Sequence, residues 1–281
     1  MNTPMTRTIS ICADDIGQDV AIDRGCLQLF KQGRLTAVSA LSSAPHAANI
    51  FQEWGMARAQ GLQIGLHFNL TLAFEEKSSF STKIPYKSLP LWLLISHLHL
   101  VSKNTIRGAL IQQIAEFEDK FGHAPDFIDG HQHVHQLPVI QSIIIETIVS
   151  RFPKTDRPWV RNTLPPMNSL RIPDRFKCLS LSILGGFALK RLLKTRKIPT
   201  NNGFLGVYSF NAPTKNEYRV LMRKWLSLAD NGALMMCHPA DSIVKNDAIG
   251  AQRPIEFAYL SSEEFKSDLA EFGIHLASFT V

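Results

Sequence analysis

The chain has 281 residues, of which 45% are hydrophobic and 19% charged, and this composition excludes a wholly disordered protein. Its length fits one large α/β domain or two small ones. The formal net charge of +6 suits an anionic partner such as a membrane surface, a phosphorylated glycan or nucleic acid, although a solvated basic surface without a partner explains it equally well.

Cysteine content and apolar runs indicate the compartment. None of the four cysteines belongs to a CxxC pair, so we expect no disulfide scaffold and a reducing compartment. The first residues lack the apolar core of a signal peptide. The longest nearly apolar runs, 90–101 and 178–189, have 12 residues each, whereas a membrane span needs about 20. We therefore predict a cytoplasmic protein, with peripheral contact at the inner membrane face as an open alternative.

Short β-like runs alternate with longer helical runs along the chain. Strands are predicted at 7–14, 35–43, 62–71, 125–132, 158–162, 233–239 and 275–281. Helices are predicted at 18–34, 45–61, 104–122, 137–152, 215–232 and 261–273. The stretches 73–103 and 163–212 are read as irregular. This alternation predicts a parallel sheet with helical crossovers.

The positions of polar residues distinguish a barrel from an open doubly wound sheet. An open sheet would use mainly its switch point, whereas a barrel gathers residues from many strand ends on one rim. The following polar residues come at predicted strand ends: Asp14, Asp15, His67, Asp129, His131, Arg161 and His238. We therefore predict an α/β fold, an irregular (β/α) TIM-like barrel forming a single domain over residues 1–281.

Two adjacent carboxylates end the first predicted strand, in the motif ADDIG (13–17). Neighbours on a strand point to opposite sides, so Asp14 and Asp15 are expected to do different jobs, one binding a metal and the other acting as a base. A helix N-cap is the simpler explanation of an isolated Asp before a helix.

The run DGHQHVH (129–135) has four polar residues at alternate positions: Asp129, His131, His133 and His135. Imidazoles with a carboxylate, leaving coordination positions open, are typical of a catalytic metal site. If the strand ends near His131, the later histidines enter a loop; spacing alone does not say which of the three binds.

Two further histidines stand at strand ends. His67 lies in GLHFNLT (65–71), where a lone buried histidine is more often a hydrogen-bonded core residue than a ligand. His238 lies in MCHPAD (236–241), and its near-neutral pKa as a free side chain suits proton donation.

Taken together and in this order, ADDIG, GLHFNLT, FIDGHQHVH and MCHP resemble the YdjC-like carbohydrate deacetylases, a family that includes chitooligosaccharide deacetylases and a hopanoid-associated branch. The resemblance spans about 6–280, and Ile16 stands where the family usually has Phe. It implies an irregular (β/α) barrel and a metal-dependent hydrolase that releases acetate from an acetylated amino sugar.

The resemblance also implies residue roles. One divalent cation would be held by Asp15, His67 and His131, with Asp14 as general base. By looser similarity to the NodB-like deacetylases, Arg161 would hold that base and His238 would be the acid. Substrate contacts would come from His133, His135 and Asn69. The family is usually described with Mg²⁺, whereas two imidazoles and one carboxylate favour Zn²⁺.

The segment 178–197 joins an apolar run to five basic residues. Such a segment can lie on an anionic membrane, which would suit a lipid-linked amino sugar, or be a core helix with a solvated basic end. The run 90–101 is open to three interpretations: a lid beside the active site, core packing, or the contact of a homodimer.

Four other functions compete with the deacetylase. A phosphoesterase would need more carboxylates for a second metal, and a cyclic amidohydrolase usually opens with HxH on its first strand. A non-catalytic carbohydrate-binding barrel conflicts with the intact set of base, acid and ligands. Nucleic-acid binding has only the net charge behind it, so no nucleic-acid partner is predicted.

Overall fold

The computed structural model describes residues 6–44, 51–74, 84–166 and 173–279 of the chain, without the side chain of Phe51. Eight strands form one sheet in which every pairing is parallel. The strands are β1 (Arg7–Ile16), β2 (Ala37–Ala40), β3 (Gln63–Phe68), β4 (Phe127–Gly130), β5 (Trp159–Val160), β6 (Phe204–Leu205), β7 (Ala233–Cys237) and β8 (Ile274–Leu276).

Helices occupy the connections between these strands, as expected for parallel pairing. They are α1 (Val20–Lys31), α2 (Phe51–Ala59), α3 (Leu89–His97), α4 (Lys103–Phe121), α5 (Ile140–Arg151), α6 (Arg175–Leu181), α7 (Phe187–Arg196), α8 (Lys215–Leu228), α9 (Arg253–Leu260) and α10 (Glu263–Glu271). Across the four described ranges, none of them combines the length and the apolar character that a membrane span requires.

The sheet curves into an irregular barrel, which confirms the predicted fold. Its strand order is β5-β4-β3-β2-β1-β7-β6, with β8 paired to the first residues of β1. The two outer strands, β5 and β6, are linked through neighbouring residues. Val160 donates its backbone N–H to the Pro199 carbonyl at 3.0 Å, and Phe204 donates to Leu164 at 2.8 Å. The carboxyl ends of the strands therefore lie on one rim.

The core lies on both sides of the sheet walls. The central strand β1 is buried from Ile9 to Ile16, and all four tryptophans are buried. The four cysteines are also buried and carry free thiols. Helix ends follow local chemistry: a Thr214–Glu217 capping box opens α8, and Gly122 closes α4 in the left-handed conformation.

Several predicted boundaries were wrong. The stretch 73–103 contains α3, and 163–212 contains α6, α7 and β6. The helix α3 lacks the alternation of apolar and polar faces by which an amphipathic helix is recognised, because nearly all of its residues are apolar. The helix α9 was also missed. The predicted helix 45–61 appears as Phe51–Ala59, and its residues 45–50 lie outside the described ranges.

We expect Gly206→Ala to destabilise the fold by about 3 kcal/mol or more, because overpacking adds to left-handed backbone strain. Gly206 has φ +94, and a Cβ there would lie 2.1 Å from the carbonyl oxygen of Met236 in the neighbouring strand β7. Urea unfolding measures the loss. The matched control is Gly33→Ala, at φ +70 with nothing within 4 Å; it should cost only about 1 kcal/mol. Equal losses would contradict the steric explanation.

Candidate active site

Asp15 ends β1 with its two carboxylate oxygens in different environments. Arg253 donates from Nη2 to Oδ2 at 2.7 Å. Oδ1 is buried and, within the described part of the chain, accepts no hydrogen bond. The Nε2 atoms of His67 and His131 lie 3.5 and 3.9 Å from it. Ligands held about 2.1 Å from a tetrahedral ion lie about 3.4 Å apart, so each imidazole nitrogen is about as far from Oδ1 as two ligands of one ion would be.

A break in β1 turns Asp15 toward this site. The residue has φ 71, and the register between β1 and β2 shifts between Ala13 and Ile16. A regular strand would point Asp14 and Asp15 to opposite sides, as the sequence predicts, yet both line the same cavity. The irregularity interrupts the alternation of the strand, so both carboxylates can reach one cavity.

His67 is oriented by a carboxylate behind it. Its Nδ1 lies 2.7 Å from Oδ1 of Asp129, which also accepts from the Ser39 hydroxyl at 2.5 Å. This contact favours a proton on Nδ1 and leaves Nε2 as the nitrogen that faces Asp15, the arrangement found behind histidine ligands of metals. Burial lowers the pKa of His67, but the Asp129 and Asp14 carboxylates outweigh it and raise that pKa to about 10, so a cation would bind here by displacing the Nε2 proton.

His131 is oriented in the same way by a hydroxyl. Its Nδ1 lies 2.7 Å from Oγ1 of Thr71. Thr71 is in turn placed by Asn69, whose Oδ1 accepts from the backbone N–H groups of Thr71 and Leu72 at 3.0 and 2.9 Å. Burial lowers the pKa of His131 to about 4 against the opposing charge of Asp15, so the ring is neutral, as a ligand must be.

Arg161 fills the space beside Asp14. Its Nη1 and Nη2 each donate to one oxygen of Asp14 at 2.7 Å, and Nη2 also lies 3.1 Å from the Cys12 sulfur and 2.5 Å from Oδ2 of Asp129. Cys12, Asp14 and Asp129 together offer a compact set of possible metal ligands. The guanidinium already supplies the positive charge at that position. We therefore infer that these three residues bind Arg161 and not a metal ion.

Formal charges around Asp15 leave room for a divalent cation. Four carboxylates belong to the connected cluster, those of Asp14, Asp15, Asp129 and Asp247, and only two guanidiniums neutralise them. Burial alone would raise the pKa of Asp15, but Arg253 holds it well below its usual range, so the group is ionised. Once a cation displaces the extra proton of His67, two negative charges remain uncompensated beside two imidazole nitrogens, which fits a doubly charged ion.

His238 follows β7 and lines the same cavity as Asp14. Its backbone N–H donates to Oε2 of Glu256 at 2.7 Å, and its ring meets Phe210 edge-on at 5.1 Å between centroids. The buried Nδ1 has no hydrogen-bond partner in the described ranges. Packing against Phe210 therefore restricts the movement of the ring.

The histidines after His131 differ from one another. The strand ends at Gly130, and 131–136 form a short 3-10 turn in which Gln132 and His133 have φ 52 and 61. His133 lines the cavity and packs against Phe204. Left-handed conformations of this kind are costly and cluster at functional sites.

Two predicted substrate contacts do not reach the cavity. His135 is fully buried, and its Nε2 lies 3.0 Å from the Arg161 carbonyl oxygen. Asn69 is 1% exposed, and its amide shapes the loop that carries Thr71. Both side chains form hydrogen bonds within the protein and do not face the cavity. We therefore correct their predicted role from substrate contact to positioning.

The cavity above these residues has a volume of about 640 Å³, within the range of small-molecule sites. Most of the surface that lines it is apolar. The apolar walls include Leu72, Leu89, Leu181, Leu184, Val207, Phe210, Met236 and Ile249.

Three residues important to this geometry were missed in the sequence. Arg253, Asp247 and Thr71 hold Asp15 and His131, yet none belongs to a histidine-rich or paired-acid motif. Asp129 was noticed only as part of its motif, without a role of its own. A residue that positions a ligand has no sequence pattern, because its partner is distant in the chain.

Replacing Asp129 with Asn is expected to weaken metal affinity about 10- to 100-fold, since the group behind a histidine ligand sets its orientation and basicity. Titration of the metal-free protein, followed by calorimetry, measures the change. The control is Asp126→Asn, at a carboxylate three residues away that pairs with Arg58 on the surface. Equal affinity in the Asp129 variant and the wild type would show that His67 needs no orienting carboxylate.

The comparisons with known proteins agree with this architecture. A chitooligosaccharide deacetylase of Salmonella newport (strain SL254) is 24% identical over 283 residues, covering 98% of this chain and 99% of the relative. A candidate cellobiose-phosphate cleavage protein of Enterococcus faecalis V583 superposes with a TM-score of 0.69 at 21% identity, covering 98% of each chain. An uncharacterized protein of Agrobacterium tumefaciens C58 gives 0.52 at 10% identity, covering 97% and 87%.

At these sequence identities, the similarity to the solved structures supports the fold alone. The family model described as YdjC-like protein matches residues 8–271, nearly the whole chain. The chain therefore belongs to the YdjC-like protein family.

Proposed function

We propose that this protein is a metal-dependent hydrolase that removes the N-acetyl group from an amino sugar or oligosaccharide and releases acetate. The observation that carries the proposal is the free Oδ1 of Asp15, buried and faced by the Nε2 atoms of His67 and His131. The relative named chitooligosaccharide deacetylase supports the substrate class, because it aligns over nearly the full length of both chains.

The metal in this proposal is one divalent cation held by Asp15, His67 and His131. When bound, it would polarise the acetamide carbonyl and lower the pKa of a water molecule. Two imidazoles and a single carboxylate favour Zn²⁺ over Mg²⁺, because Mg²⁺ prefers oxygen ligands. Metal analysis of protein purified without added metal decides between them.

Asp14 is the proposed general base. Arg161 donates to both of its oxygens, which fixes the direction of the carboxylate while it lines the cavity. Fixed orientation matters because a base must lie within hydrogen-bond reach of the proton that it removes from the attacking water. The second carboxylate on Arg161, that of Asp129, shares the positive charge and keeps Asp14 from being fully neutralised.

His238 is the proposed general acid. An amine is a poor leaving group until it is protonated, and imidazole exchanges protons near neutral pH. His238 lines the same cavity as Asp14, and the Phe210 ring and the Glu256 contact to its backbone restrict its movement. Base and acid therefore act on one substrate from different strands.

The geometry of this site argues against the alternative function, a phosphoesterase. Two-metal phosphoesterases need a second cation near the first. The nearby ligand group of Cys12, Asp14 and Asp129 contacts the Arg161 guanidinium instead. The deacetylase needs only the Asp15 position, so we prefer it.

Acetate release across a substrate panel tests the proposal. The panel holds N-acetylglucosamine oligomers, simple N-acetylhexosamines and lipid-linked acetylated amino sugars, with an aryl phosphate as counter-substrate. We expect acetate and a free amine in equal amounts from at least one sugar, and no phosphate. Phosphate release without acetate would overturn the deacetylase.

A further inference from the structure

We propose that the helical segment 175–197, here called the rim segment, docks with α3 onto an anionic phospholipid bilayer, so that the cavity opens at the lipid surface. The inference concerns binding and does not require the proposed chemistry to be correct.

The rim segment presents large apolar side chains to solvent. Their exposed fractions are 85, 47, 66 and 61%, in the order Phe176, Leu179, Ile183 and Phe187. Spacings of three and four residues place Phe176, Leu179 and Ile183 along one side of the segment, and Phe187 opens α7 after the kink at Gly185. The buried positions of the segment include Cys178, Ser182, Leu189 and Leu193. Grouped exposure of this kind marks an interaction surface, unlike single exposed apolar residues.

The same segment is the most basic part of the chain. It contains seven basic residues and no acidic one, and so accounts for the whole of the +6 net charge. All seven are exposed, and among the described residues none of them forms an ion pair. They are Arg175, Lys177, Lys190, Arg191, Lys194, Arg196 and Lys197. Apolar side chains followed by unpaired basic ones are typical of helices that lie in the membrane interface.

A second apolar patch lies on α3 and its C-terminal extension. Leu94, Leu98 and Leu100 are 58, 58 and 71% exposed. No acidic residue occurs between positions 89 and 103. Nothing in this patch would therefore repel an anionic surface.

Both patches border the cavity. Leu89 of α3 lines it, as do Leu181 and Leu184 of the rim segment. Both elements also contact the 131–136 turn that carries His131. The backbone of the rim segment packs closely against this turn at Gly185. A Cβ on Gly185, at φ +147, would lie 2.1 Å from the Gln136 carbonyl oxygen. A surface held by the two patches would therefore face the cavity.

Charge distinguishes a lipid surface from a second copy of the chain. A twofold dimer through this face would bring two sets of basic residues together, and like charges repel. Anionic lipids attract them instead, with each basic residue near the surface adding to the affinity. The occupant that complements both the apolar and the basic side chains is an anionic bilayer.

Vesicle flotation of the full chain tests the proposal. Vesicles of phosphatidylcholine alone are compared with vesicles of equal parts phosphatidylcholine and phosphatidylglycerol. We expect flotation with the anionic vesicles, weakening as salt is raised, and little with the neutral ones. Failure to float with anionic vesicles, or equal flotation with both kinds, would overturn the proposal.

Variants locate the surface. Phe176→Ser with Ile183→Ser, and separately Lys190→Glu with Lys194→Glu, should each weaken binding at least about tenfold. The controls are Ile243→Ser, at a 66% exposed side chain outside both patches, and Lys224→Glu on α8. Circular dichroism checks that all variants fold. Unchanged binding in both rim variants would overturn the assignment, as would a wild-type dimer that the Phe176 variant dissociates without any vesicle binding.

Discussion

Asp14→Asn is expected to lower kcat/KM for acetate release by about 10²-fold or more while leaving metal content unchanged, because a general base contributes about 10² to 10⁴ in rate. Asparagine keeps the shape of the side chain and can still accept from Arg161, but it cannot take a proton. Asp14 is not one of the three proposed metal ligands, Asp15, His67 and His131. The substitution should therefore lower activity without lowering metal content. Steady-state kinetics with elemental analysis of the same samples measures both quantities.

Stability has to be separated from catalysis in this variant. Removing one partner of a buried ion pair costs about 3 kcal/mol or more when the other charge is left alone. Here Asp129 still contacts Arg161, at 2.5 Å, so we expect the protein to remain folded. The matched control is Asp241→Asn, at a carboxylate that also accepts twice from one arginine, Arg24, but on the surface. A rate in Asp14→Asn above about a tenth of wild type would exclude Asp14 as the base.

Removal of the metal is expected to abolish activity, by about 10³-fold or more, because a Lewis acid supplies several kcal/mol of transition-state stabilisation. Chelation followed by dialysis should give inactive protein, and adding back one equivalent of Zn²⁺, Co²⁺ or Mg²⁺ shows which ion restores the rate. His67→Ala should not be restored by any of them, because it removes one of the three ligand atoms.

The control for this experiment is His275→Ala, an exposed histidine on β8 that lies outside the cavity lining. It should respond to chelation and metal addition like the wild type. Full activity after verified removal of metal, or ordinary metal stoichiometry in His67→Ala, would contradict the ligand assignment. Either result would leave the barrel fold and the family membership unaffected.

The fold was largely predictable because local patterns carry it. Alternating apolar runs and helical periods identify β1, α4 and α8, and polar residues at strand ends favour a barrel over an open sheet. Prediction failed for α3, where nearly all residues are apolar, and around the π-turn 182–186, where Gly185 accommodates a close approach to Gln136. Neither feature has a local periodic signal.

The candidate site divides in the same way. Asp14, Asp15, His67, His131 and His238 could be chosen from the sequence because each belongs to a short motif at a strand end. The roles of His135 and Asn69 could not be predicted from the sequence. Their burial depends on the path of the whole 131–136 turn and of the loop beyond β3.

By itself the sequence determined the class of fold, the residue types available for metal and proton chemistry, and the basic apolar character of the rim segment. Only the tertiary structure decided which oxygen of Asp15 is free, that Arg253 holds the other one, and that Arg161 takes the place of a second cation. The physical reason is that propensity and periodicity act between near neighbours in the chain. Ligand geometry and charge balance instead depend on side chains as much as 238 positions apart that meet only when the sheet closes.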